Sequence, residues 1–227
     1  QLYRYSIEDK ELVLNHNNNK YTYIYAENST LNNEKQKTID TDGSVLINGK
    51  NSTINLKAAN TITSSNKEVI GVYLKDATGK SATNNGTITL TGDKSVALYG
   101  EEGGKLENAV STGIISVGQN SVGMYNKGTT TAVNNGEITL TGDFGIGMRS
   151  DSASGTSTNT GKIISTNLRA VGMSASGGSN ALENTGEINL SGQESIGIHT
   201  DNLGTGHEIT NGSSGKIILT DATDETK

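Results

Sequence analysis

One phrase recurs along the chain at a nearly fixed interval, and no other feature limits the possible folds so tightly. Asn-Asn-Gly-Thr-Ile-Thr-Leu-Thr-Gly fills 84–92 and returns as Asn-Asn-Gly-Glu-Ile-Thr-Leu-Thr-Gly at 134–142 and Asn-Thr-Gly-Glu-Ile-Asn-Leu-Ser-Gly at 184–192. Weaker copies centre on Gly113, Gly161 and Gly215, and Asn60 holds the same place upstream. The anchors fall at 60, 86, 113, 136, 161, 186 and 215, in steps of 26, 27, 23, 25, 25 and 29 residues. Within each repeat the apolar period is two. After the anchor come Ile88/Leu90, Ile115/Val117, Ile138/Leu140, Ile188/Leu190 and Ile217/Leu219. A second alternating run starts about ten residues later, as in Ile70-Gly-Val72-Tyr73 and Val122-Gly-Met124-Tyr125, and a weaker third run precedes the next anchor. Alternation with β-branched residues marks half-buried strands.

Three short strands per repeat, with no helical pattern between them, leave few architectures. A leucine-rich repeat needs its own consensus, a propeller blade needs about 40 residues, and calcium-binding nonapeptides need Gly-Gly-x-Gly-x-Asp. The remaining solution is an all-β, right-handed parallel β-helix with one repeat per coil, each strand bonding to its copy in the next. At about 4.8 Å per strand, six to seven coils over 58–227 extend roughly 30 Å. Ile88, Ile115, Ile138, Ile163, Ile188 and Ile217 then form one interior column. Asn84, Asn134, Asn159 and Asn184, each two residues before an anchor glycine, suit turns and can bond along the axis. Residues 1–57 keep strand signals but lose the spacing, and read as irregular coils or a cap before the regular coils of 58–227.

Composition agrees. The 227 residues include no proline, which fits nearly continuous ladder, and no cysteine, which excludes disulfides and thiolate sites. Net charge is −6, and residues 1–57 carry seven charges of each sign, so the acidic surplus lies in 58–227. That argues against nucleic acid and anionic lipid as partners. No run is long and apolar enough for a membrane-spanning helix, and no basic, apolar leader opens at Gln1, so an exported protein would be represented by a mature segment.

The phrases NNGTITLTGDKSVALYG, NNGEITLTGDFGIGMRS and NTGEINLSGQESIGIHT resemble the passenger repeats of large fusobacterial outer-membrane autotransporters over roughly 58–220. The resemblance implies a type V secreted adhesin with a β-helical passenger on the cell surface, attaching to other bacteria or host cells. Its membrane contact would run only through a C-terminal barrel, which this chain lacks along with the signal, so the chain would be a monomeric passenger segment. The family carries no shared catalytic motif.

β-Helices also cleave polysaccharides, and the placement of the acids bears on that possibility. Asp76 and Glu101 fall about equally far past their anchors, on adjacent coils, at a spacing compatible with a retaining glycosidase pair. Asp is equally a turn residue there. Asp93 and Asp143 stand two coils apart, with Gln193 in the next copy, too far to share a metal or a proton. His199 and His207 flank Asp201 and Glu208 without metal-ligand spacing. The expectation is no enzyme, no metal and no cofactor. One column stands out: Tyr73, Tyr99, Tyr125 and then Arg149 at equivalent places of the second strand, beside Gly71, Ala97, Gly123, Gly147, Gly172 and Gly197. Read as outward-facing, these make aromatics beside a side-chain-free strip, a groove for a surface glycan or protein. The functional expectation is a surface adhesin segment serving as stalk or binding surface. The alternatives are a secreted polysaccharide-degrading enzyme and a purely structural spacer.

Overall fold

The computed structural model describes residues 2–7, 10–15, 21–151, 154–201 and 208–220, with side chains from residue 21 onward. Strands β1 (Leu2–Ile7) and β2 (Lys10–Asn15) pair antiparallel as a separate two-stranded sheet. From residue 22 the chain winds as a right-handed solenoid of about eight turns, about 25 residues each. The first coil is β3 (Thr22–Glu27), β4 (Thr30–Asn33) and β5 (Gln36–Thr38), and the last is built from Ile196–Asp201, Glu208–Asn211 and Lys216–Leu219. Each of the three walls is an eight-stranded parallel sheet whose neighbours lie three strands apart in the chain, so every strand pairs with its own copy one coil on. No helix occurs among the described residues. The ladders extend upstream of the boundary at 57: β3, β4 and β5 pair in parallel with Val45–Lys50, Thr53–Leu56 and Thr61–Ser64.

Register places the isoleucines as their periodicity requires. Ile62, Ile88, Ile115, Ile138, Ile163, Ile188 and Ile217 pair in succession along the third wall. All but Ile217, in the last coil, are fully buried. Only a thin core is available inside so narrow a coil, and stacking makes it continuous: every coil's side chains are covered by those above and below.

Two kinds of polar ladder hold the corners. At the end of the second wall Asn84, Asn108, Asn134, Asn159, Asn184 and Asn211 occupy one register column. In the first five, the side-chain amide donates to the Oδ1 of the next asparagine at 2.8–2.9 Å. Its remaining N–H capacity meets a carbonyl of the third wall one coil on, such as Glu137 O, Lys162 O or Glu187 O. The donors all point the same way along the axis. Leu56 interrupts the column one coil before Asn84. There Asn60 accepts from Asn33 instead, leaving its own buried Nδ2 without a partner.

The other device uses the backbone. Glu68, Lys94, Asn120, Phe144, Arg169 and Glu194 adopt φ between 51° and 59° at the corner before the first wall. Left-handed backbone is unfavourable for such residues. In the first five it turns an N–H onto a carbonyl of the following coil: Asp93, Gln119, Asp143, Leu168 and Gln193 respectively. The hydrogen-bond ladder therefore continues around the corner, which offsets the strain.

Candidate functional site

Tyr73, Tyr99, Tyr125 and Arg149 occupy one register column of the first wall. The ring centroids of Tyr73 and Tyr99 are 5.0 Å apart at 22°, and those of Tyr99 and Tyr125 are 4.7 Å apart at 9°. The stacking matches the expectation; the exposure does not. Each tyrosine is 1% exposed and Arg149 is 7% exposed, so this column does not form an open groove.

The glycine strip lies on the other side of the wall. A Cβ on Gly147 would stand 2.6 Å from Gly172 O of the next coil and 2.6 Å from the Cγ2 of Ile163 in the third wall. Gly123 and Gly172 face Ile138 and Ile188 in the same manner, at 2.8 and 2.6 Å. The strip is therefore interior, cut away to admit the isoleucine column. Ala97, at the same position, belongs to the inner core. Since Val72 also faces inward, two successive residues share the inner side and strict alternation fails at the glycine. Ile70 and Tyr73 consequently belong to a second apolar cluster, apart from the core. It comprises the Tyr73–Tyr125 stack and the column Val45, Ile70, Val96, Val122, Ile146 and Val171, all nearly or fully buried.

The tyrosines reach acids one coil further on. Tyr73 OH donates to Glu101 Oε2 at 2.9 Å, and Tyr125 OH to Asp151 Oδ2 at 3.0 Å. Arg149 Nη1 donates to Ser174 Oγ at 2.5 Å, while its buried Nε has no partner. Glu101 and Asp151 sit in an edge column that reads Glu27, Lys50, Lys75, Glu101, Lys127, Asp151, Ser176, Asp201. In that register Glu101 faces Lys75 and Lys127, so its equivalent is not Asp76. The true counterparts of Asp76 are Asn28, Asn51 and Glu102, which share its left-handed φ. Asp76 N donates to Glu101 O at 3.2 Å, making it a corner residue, and its side chain is exposed whereas that of Glu101 is buried against Tyr73.

The other acids also serve corners. Asp93 Oδ1 accepts from Asn120 Nδ2 at 2.8 Å, and Asp143 Oδ1 from Leu168 N at 3.0 Å. Gln193 accepts at its carbonyl from Arg169 N. His199 lies in the last strand of the first wall beside Ser174; Asp201 and Glu208 are exposed at that end, and His207 lies outside the described residues. No group of three potential metal ligands occurs among the described residues.

A hollow of about 560 Å³ at the first coil, lined in part by Tyr21, Tyr23, Ile24, Lys37 and Leu46, was not expected from the repeat. Lys37 stands where every later coil places isoleucine, and its Nζ lies 4.5 Å over the ring of Tyr23. Tyr23 OH donates to Asp40 at 3.2 Å. Burial first, then this bond and the carboxylate charge, hold the Tyr23 phenol above the ordinary range. Two features of the sequence mark this end: three tyrosines within residues 21–25, and a charged residue in an otherwise apolar interior column.

Three continuous parallel walls, with polar side chains spent on corners and ladders, define a β-solenoid of the pectate-lyase-like type. The chain belongs to the family of the BigA third pectate lyase-like domain, whose model matches residues 6–216. BigA is an autotransporter-like adhesin, and the match supports a β-helical protein of the surface-adhesin type without singling out fusobacterial autotransporters. No curated protein and no solved structure matches the chain.

Proposed function

We propose that the chain is a passenger segment of a cell-surface autotransporter adhesin, of the kind its repeat phrases resemble, acting in attachment to bacterial or host cells. The observation that carries this reading is the family match over 6–216 on a solenoid of about eight turns. Such a body sets a distal surface at a fixed distance from its base. Beads coated with the 227-residue chain should adhere to epithelial or bacterial cells above albumin-coated beads. Equal adherence would remove binding from this segment and leave it a spacer, the second reading, which burial of the tyrosine column favours.

We also propose that the segment is not an enzyme. What supports this is that Asp76 serves a corner with its side chain exposed, while the Glu101 carboxylate is buried and accepts from Tyr73, roles unlike those of a hydrolytic carboxylate pair. Reducing ends released from a polysaccharide panel by the parent, and not by Asp76→Asn with Glu101→Gln, would overturn this.

A further inference from the structure

The outer face of the first wall poses a packing problem that the repeat does not solve. A solenoid wall gives its inner side to the core and its outer side to solvent. Here the outer side carries two apolar columns, Val45 to Val171 and Tyr73 to Tyr125, each member no more than 3% exposed. Stacking between coils covers the faces of these side chains but leaves their outer rims open. Burial this complete needs a layer of chain across the wall.

Strands β1 and β2 have the form of that layer. They make a two-stranded sheet outside the three ladders, and an isolated hairpin is marginal without an apolar surface to lie on. The register pairs Tyr3 with Leu14 and Tyr5 with Leu12, which alternation assigns to one face; Arg4 pairs with Val13 and Ser6 with Glu11 on the opposite face. The first face is apolar and aromatic except for Lys10, which pairs with Ile7 at its turn end, and the second is mostly polar, with Leu2 and Val13 among Arg4, Ser6, Glu11 and Asn15. Dimensions agree as well. Strands of six residues run about 20 Å, against about 24 Å for five coil-to-coil steps, and columns three residues apart span about 10 Å. Residues 16–21 are all that separate β2 from β3, the first strand of this same wall, a reach of at most about 20 Å.

We propose that the outer face of the first wall is an intramolecular docking face for the β1–β2 hairpin. The hairpin lies across the coils with its Tyr3, Tyr5, Leu12 and Leu14 face down, as in packing of one sheet on another. The tyrosine stack is then a covered surface, and any ligand for it must displace β1 and β2 first.

Hydroxyl-radical footprinting of the full chain, with Tyr21 and Tyr25 as exposed references, tests this. In the parent, Tyr73, Tyr99 and Tyr125 should be protected. Tyr5→Asp with Leu12→Asp should raise their labelling several-fold, towards the level of the references. Arg4→Ser with Glu11→Ser, on the opposite face, should leave it unchanged. Amide exchange at Ile138 follows the interior separately and should stay slow in both variants. Continued protection in the first variant, or equal exposure in both, would overturn the proposal. So would exposure accompanied by fast exchange at Ile138, because the hairpin would then be part of the core and not a cover.

Discussion

Asn134 shows how a single side chain serves three coils: it accepts from Asn108 at 2.9 Å and donates to Asn159 at 2.8 Å and to Lys162 O at 3.1 Å. Asn134→Ala strands buried groups on both sides and should lower unfolding stability by about 2–4 kcal/mol in urea titrations. Asn134→Asp should cost more, since a buried carboxylate has nothing to donate. Sequence exposed the ladder in part. Asn84, Asn134, Asn159 and Asn184 precede their anchors by two residues, but Asn108 precedes Gly113 by five, because a longer turn intervenes, and only register brings it into line. Tyr23 makes a separate expectation. Its folded-state pKa is raised, so the stability it contributes is complete below the ordinary phenol range near 10 and is lost as pH climbs through the folded value. Asp40→Asn removes the nearby negative charge and leaves only a neutral amide oxygen as acceptor, and should let Tyr23 ionise at lower pH in an alkaline absorbance titration.

At the scale of the strand, alternation was a reliable guide on the third wall and misled on the first. Ile138 and its column alternate strictly, and their interior position was legible from the residues alone. On the first wall glycine has no side chain to reveal which face it takes, and a close approach to Ile163 or Ile188 is invisible until the walls are placed. Burial of Tyr73, Tyr99 and Tyr125 was illegible for another reason: it is not encoded in the repeat. The upstream coils read as irregular, or as a cap, because Lys35 stands at the anchor position where later coils have Asn60 or glycine, so the phrase fades while the ladder persists. The interior assignment of the glycines has a direct test. Gly172→Val should push on Ile188 and the carbonyl of Gly197, and should lower stability by about 1–3 kcal/mol or more in thermal melts. A groove-lining glycine on the outside would tolerate valine. The stack itself should be sensitive too: Tyr99→Ser removes the middle ring of three and should destabilise by about 3–5 kcal/mol, as large aromatic truncations do.

Across the whole molecule each coil touches only its neighbours, so stability is a sum of coil and interface contributions and must fall off towards the ends. Ile209, Ile217 and Leu219 of the last coil are exposed, whereas their counterparts Leu182, Ile188 and Leu190 one coil earlier are buried. Hydrogen exchange should therefore be slowest in the central strands, around Thr87–Leu90 to Glu137–Leu140, and fastest in Lys216–Leu219. Uniform exchange along the axis would argue for a single cooperative unit. The winding also has a mechanical consequence for anything tethered through it. Strands lie across the axis, so axial tension opens one coil's ladder at a time, as thread leaves a spool. Each turn of about 25 residues surrenders about 5 Å of stacked length and pays out roughly 80 Å of extended chain. A molecule under shear would lengthen by successive turns and dissipate the pull at every step, keeping its grip where a rigid rod of the same size would snap free.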